Sequence, residues 1–367
     1  MDQQYQTLAQ LPSAGKRLFQ ALVLVACSLA TPAWAVDIPA PEEVTRLPAA
    51  TMKKFEDQVL SKTRQPKARI KGLLDFIFEK DGLGLEYADD RSRTVARSIA
   101  DRKANCLSFT LVFIELAKAA NFKARLLESD QSLVWFSNDN NIYLAGHVSA
   151  QIKLGHNRFE VNFDPETPMT HSNKRPASAE RIVAHYYNNR AAELMAEGDL
   201  KSAAALYDAA ERMDPTLVSI YNNRGVMFRR QENIEAAAKS FERALSLDHD
   251  DLSALSNLVT VYRLQGREGE ADRLASDLSI AQRKNPLHYF ILGTQEEAAE
   301  SYAKALDYYE QAFRLDKVEP AYLQALARVS EAMGNPEKAR LYNKRASDLI
   351  KRGPRALNVV DRRPRGR

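Results

Sequence analysis

From residue 184 onward one period governs the chain. With a 34-residue frame set at Ala184, small side chains fall at the eighth place, as Ala191, Gly225, Val259, Gly293 and Ala327. Alanine holds the twentieth place throughout, and the twenty-seventh carries Ala210, Ala244, Leu278, Ala312 and Ala346. Later frames begin at Val218, Leu252, Pro286 and Pro320 without an insertion. A period of this length marks a stack of identical supersecondary units, each unable to bury its apolar face alone. Small residues at the eighth and twentieth places let two antiparallel helices approach closely, and Tyr207, Phe241 and Tyr309 fill the space between hairpins. The third frame has Ala275 where an aromatic filler is expected, which predicts the loosest repeat, and His249 stands where Pro215 stood one repeat earlier.

This pattern resembles the tetratricopeptide repeat. The resemblance covers residues 184–351 as five repeats and implies an all-α, right-handed solenoid with one concave face. On that face it implies a protein or peptide partner, with Asn188, Asn222, Arg229, Thr260 and Arg263 as groove residues able to hydrogen-bond a peptide backbone or carboxylate. A solvated wall without a ligand is the competing reading.

Upstream, "KANCLSFT" runs into an apolar segment in which Leu107, Thr110, Leu111, Ile114, Ala117 and Lys118 recur at three and four, predicting a helix from Cys106 to about Ala120 with Asn105 as N-cap. A cysteine in the first helical turn faces unsatisfied amide hydrogens, which favours its thiolate. A strand "FKARLLES" follows a tight turn at Ala120-Asn121. "HVSAQIKL" and "RFEVNFDPE" alternate polar and apolar residues around a Gly155-His156-Asn157 turn, predicting two half-buried antiparallel strands that set His147 beside Asp164. His156, His171 and His185 are read as turn or surface residues.

The order cysteine helix, histidine strand, aspartate strand resembles the transglutaminase-like superfamily, of papain-like α+β fold, over residues 67–180. The resemblance implies Cys106 as nucleophile, His147 as general base and acid, and Asp164 as its orienting group. Ala104 and Leu107-Ser108 depart from the family's usual surroundings of the cysteine, so the Cys106 amide is the one oxyanion donor named.

Lys16 and Arg17 precede the apolar run "LFQALVLVACSLA", and Ala33-Trp34-Ala35 offers a small-x-small cleavage site. Residues 1–35 therefore read as a signal peptide, too short to span a membrane. Leu24-Val25-Ala26-Cys27 also resembles a lipobox, so Cys27 is a candidate lipidation site. Either route exports the chain, to the periplasm or as an outer-membrane lipoprotein, and leaves Cys106 as its free thiol. Residues 36–66 read as a Pro- and acid-rich linker with a lead-in helix, and residues 352–367 as a basic disordered tail. The chain has 52 Lys and Arg against 48 Asp and Glu, and the tail alone explains the surplus. That distribution excludes a nucleic-acid domain and leaves a lipid anchor or the tail as routes to a membrane surface.

The expected architecture is an α+β transglutaminase-like domain followed by an all-α repeat solenoid. Two functions stand beside each other. One is an exported cysteine peptidase, amidase or acyltransferase whose repeats recruit a polypeptide. The other is an inactive scaffold or assembly factor that only binds. No glycine-rich phosphate loop or metal-ligand spacing is present, so no cofactor or metal is expected.

Overall fold

The structure is a computed structural model describing residues 38–129, 134–138, 141–145, 148–155, 157–163, 174–352 and 355–356. Its first part opens with α1 (Pro41–Thr45) and α2 (Ala49–Phe55), the latter continuing as a π-helical turn to Leu60. Then come α3 (Pro66–Phe78), β1 (Glu86–Tyr87), α4 (Val95–Asp101), β2 (Lys103–Ala104) and α5 (Cys106–Ala119). β3 (Lys123–Ser129), β4 (Val134–Asn138), β5 (Asn141–Ala145), β6 (Val148–Leu154), β7 (Asn157–Val161) and β8 (Lys174–Pro176) follow.

Helix α5 is buried on almost every side, as expected of a helix that is apolar all round. It packs on β3 and β6, the central strands of a five-stranded sheet. Phe109 stacks on Phe163 with ring centroids 5.4 Å apart, while Phe78 and Phe113 close the same cluster. The β6–β7 hairpin forms where expected, with Gly155 at a φ of 60°. Its polar face is exposed toward the turn, at Lys153 and Arg158, as the alternation suggested, but is covered at the other end. Ser149, Glu160 and Asn162 are buried, and the Ser149 hydroxyl donates to Glu160 at 2.6 Å while Lys174 pairs with the same carboxylate. An ion pair and a hydroxyl satisfy the buried charge, and that is what lets both faces of the sheet be covered.

Three expectations need correction. Residues 36–66 are not a free linker: Val44 and Phe55 are fully buried, and Tyr187 donates its hydroxyl to the Pro39 carbonyl at 2.5 Å. Pro41 at the helix start and Glu42-Glu43 in its first turn favour the short helix that delivers Val44 to the core. Residues 352–367 are not wholly without structure, because β9 (Arg355–Ala356) pairs in parallel with Phe159 and Glu160 of β7. An edge strand presents unpaired backbone groups, and an extended segment satisfies them whatever its side chains. His185 is buried rather than on the surface.

The remaining helices form five hairpins. They are α6 (Ala179–Glu197) with α7 (Leu200–Met213), α8 (Val218–Arg230) with α9 (Ile234–Leu247), and α10 (Leu252–Leu264) with α11 (Glu268–Lys284). α12 (Pro286–Ala298) with α13 (Tyr302–Leu315) and α14 (Pro320–Ala332) with α15 (Pro336–Arg352) complete the set. At the turn inside each hairpin one residue takes a left-handed conformation: Gly198, Glu232, Gly266, Glu300 and Gly334. Glu232 and Glu300 hold that conformation against the steric cost a side chain brings there.

Close packing explains the small eighth position. A methyl group placed on Gly225 would sit 2.6 Å from the Phe241 ring, and one on Gly293 would sit 2.6 Å from the Tyr309 ring. Tyr207, Phe241 and Tyr309 are each fully buried. In the third repeat the volumes are exchanged, with Val259 at the glycine position and Ala275 at the aromatic one. In α11 Leu274 and Leu278 are only half-buried and Ile280 is 41% exposed.

The first repeat is bolted to the sheet. Glu128 of β3 accepts both hydrogen bonds from the Arg181 Nε, at 2.7 and 2.8 Å, and lies 2.8 Å from His185 Nε2. Arg181 Nη1 also donates to Asp214 at 2.8 Å. Burial alone would raise the Glu128 carboxyl, but hydrogen bonds from His185 and Arg181 outweigh it and hold it down to about 2.

Two measurements check these packing arguments. Gly225→Val should cost about 1–3 kcal/mol in chemical denaturation through overpacking, and adding Phe241→Ala should recover part of the loss by copying the Val259 and Ala275 exchange. Glu128→Gln should destabilise the neutral protein by about 3 kcal/mol, the scale for breaking a buried pair. A carboxyl whose folded value is depressed stabilises above its unfolded value and loses that contribution as pH falls through the folded one. The gap between wild type and Glu128→Gln should therefore narrow between about pH 4.5 and pH 2, read from denaturation midpoints across that range.

Candidate functional site

Two regions carry the residues singled out by the sequence. The first is the start of α5. Asn105 adopts an extended backbone and accepts from the Ser108 amide at 3.0 Å, capping the helix as expected. Its own amide donates to the Ser92 hydroxyl at 2.9 Å, and the Ser92 backbone donates to Glu193 of α6 at 2.6 Å. Ser108 is fully buried and exchanges two hydrogen bonds with the Arg93 backbone, accepting at 2.8 Å and donating at 3.0 Å. Arg93, 4% exposed, is clamped by Asp90 and Asp101, and the Arg93 hydrogen bond holds the Asp90 carboxyl down to about 2. Burial pushes the Glu193 carboxyl up against the opposing pull of Arg190.

Cys106 is thus the first residue of a helix whose N-cap is fixed by three successive polar contacts. It is half-buried and forms no disulfide. His147 and Asp164 lie outside the described residues, as do His156, His171, Cys27 and the whole of residues 1–35. The neighbours of the two are described: Val148 opens β6 opposite Glu128, Ala150 pairs with Val161, and Phe163 packs on Phe109 and Phe113 of α5. Sequence reasoning missed Ser92, Arg93 and Glu193. Ser108, three residues after an asparagine N-cap, was the one available signal, since a buried hydroxyl there must find partners in the preceding loop.

The second region is the wall made by the first helices of the repeats, where α6 packs on α8 and α8 on α10. Asn188 and Asn222 are 2% and 0% exposed. They join Asn223 and Asn257 in one ladder: Asn223 donates to Asn188 at 3.3 Å, Asn222 to Asn223 at 3.3 Å, and Asn257 to Asn222 at 3.0 Å. Their amides are engaged with one another rather than open to water. The Thr260 hydroxyl bonds back to the Ser256 carbonyl at 3.2 Å. Arg229 is half-buried, and the Arg263 side chain is 55% exposed at the rim, 4.0 Å from Asp272. Strand β5 lies against both α8 and α10. Among the described residues no group of three His, Cys, Asp or Glu could hold a metal ion, and no helix is long and apolar enough to cross a membrane.

Residues 218–251, the second frame from its first position to its last, match the family model of the tetratricopeptide repeat. The helical array is a tetratricopeptide repeat domain: the matched frame recurs before and after it with helices at the same 34-residue spacing. No curated protein matches the chain. Among solved structures, a MamA protein is 18% identical over 46% of this chain and 92% of its own, with a TM-score of 0.26. MamA from Desulfovibrio magneticus RS-1 is 17% identical over 46% of this chain and 96% of its own, also at 0.26. YrrB, described as a TPR protein with an unusual peptide-binding site, is 21% identical over 46% of this chain and 87% of its own, at 0.26.

Proposed function

We propose that this chain is an interaction protein whose repeat wall binds a polypeptide partner and whose α+β part is held beside that wall as a rigid second surface. The carrying observation is the run of five 34-residue hairpins, the first helices of the first three packed side by side. Repeats of this kind present a continuous surface far longer than one domain face, and extended surfaces suit polypeptides better than small molecules. In this reading the protein works as an envelope scaffold or assembly factor, exported by the segment at residues 1–35 and retained there as a periplasmic protein or through lipid on Cys27. Capture with the full chain from an extract of its source cells tests it. Arg229→Ala with Arg263→Ala should lose the captured partners. Unchanged capture moves the interaction off the wall, and an empty capture removes the reading.

A second reading has one observation in its favour. Cys106 opens a helix whose start is fixed by Asn105, Ser92 and Ser108; Val148, next to His147, opens a strand that packs on that helix, and Phe163, next to Asp164, stacks on its Phe109. This supports a transglutaminase-like thiol hydrolase or acyltransferase, with Cys106 attacking a carboxamide or peptide carbonyl and His147, oriented by Asp164, passing the proton to the leaving amine. The repeats would then deliver the substrate. Iodoacetamide labelling at pH 6 separates this from a binding role alone: an activated Cys106 labels faster in the folded chain than in the denatured one, and Cys106→Ser abolishes the signal. Equal rates in the two states count against catalysis.

A further inference from the structure

The wall of the repeat array is already in use. Strands β3 and β6 are direct neighbours in the sheet, with Glu128 opposite Val148, so a short connection would join them. Instead the chain leaves after Ser129 and forms the separate antiparallel ribbon β4–β5, which joins no other sheet. Its second strand, Asn141–Ala145, rests on α8 and α10, the first helices of the second and third repeats.

The wall changes character along the array. At the fifth and sixth places of the frame the first three repeats carry Asn188-Asn189, Asn222-Asn223 and Ser256-Asn257, whereas the fourth has Phe290-Ile291 and the fifth Gln324-Ala325. Each carboxamide brings a donor and an acceptor, the complement of an extended backbone. Asn188, Asn222, Asn223 and Asn257 are no more than 2% exposed, and their ladder crosses the junctions between the first three repeats. The ladder ties the first helices of these repeats together, and those of the second and third are the ones that carry β5.

We infer that β5 is an internal ligand of the repeat wall, and that the surface of the second and third repeats takes an uncharged, aromatic and aliphatic extended segment of the same kind. The strands read "VWFSN" and "NIYLA", without one charged residue. A partner reaches the wall of the second and third repeats by displacing the ribbon. The inference rests on the proposed partner-binding role of the repeats and adds the chemistry of the segment and the competitor it must beat.

The probe is a synthetic peptide of residues 141–145 with Ser and Lys added at its ends for solubility, followed by fluorescence polarisation. It is titrated into the intact chain, into a variant with residues 134–145 replaced by a Gly-Ser linker, and into Leu144→Pro, in which a ring without an amide hydrogen disrupts the ribbon. Helical content by circular dichroism identifies which variants keep the repeat fold, and the point substitution serves if the replacement does not fold. The peptide should bind the released variants at least about tenfold more tightly than the intact chain, the factor expected when the competent state is about one-tenth populated. A peptide with Tyr143 and Leu144 changed to Glu should not bind. Equal affinity for intact and released chains overturns the internal-ligand inference while leaving the binding role standing. Binding to none of them overturns both, and equal binding of the Glu-bearing peptide overturns the assigned chemistry.

Discussion

Glu128 anchors the sheet to the repeat array. A buried carboxylate requires compensation from nearby donors, and both of its partners, the Arg181 guanidinium and the His185 ring, come from the first helix of the array. Arg181 and His185 stand one helical turn apart, so one face of α6 meets the carboxylate. Asp214 at the end of α7 balances the second arm of Arg181. The first hairpin is thereby fixed to the sheet, and every later hairpin inherits its position by stacking. The repeat wall faces the β4–β5 ribbon because the first repeat is oriented in this way.

In the first four repeats a small residue at the eighth or the twenty-fourth place is set against a larger one at the other, and the fifth, with Ala327 and Asn343, does not place an aromatic ring there. Glycine faces an aromatic ring in the second and fourth repeats, alanine faces Tyr207 in the first, and Val259 with Ala275 reverses the order in the third. Interiors packed to crystal density accept such exchanges only in pairs. The apparent gap at Ala275 is therefore matched on the facing helix, and what remains loose in the third repeat is the outward side of α11.

The candidate sites were legible to different depths. The capped start of α5 was readable because N-capping is local: Asn105 and Ser108 are three residues apart and need nothing else. Ser92, Arg93 and Glu193 were not readable, since the hydrogen bonds that fix the cap reach back into a loop and forward to α6, across sequence distances no local pattern encodes. Asn188 and Asn222 were identified as wall residues from the repeat frame, but the frame is silent on what lies over the wall. Their burial comes from neighbouring repeats, whose asparagines bond to one another across the helix junctions. His185 was misjudged for the same reason, because its partner is far away in sequence on β3.

The sequence by itself determined everything that repeats or that is settled within a few residues. The five-fold 34-residue spacing, the helix starts, the turn at Asn121 and the β6–β7 hairpin all follow from periodicity, side-chain volume and backbone preference. Tertiary structure alone decided how these parts meet: the salt-bridged junction at Glu128, the return of Arg355–Ala356 to the edge of β7, and the placing of β5 on the second and third repeats. Those contacts are made by a few residues distant in sequence whose partners are chosen by proximity in the folded chain. A buried carboxylate needs a cation and an open strand edge needs a backbone, and only the assembled fold says which ones are within reach.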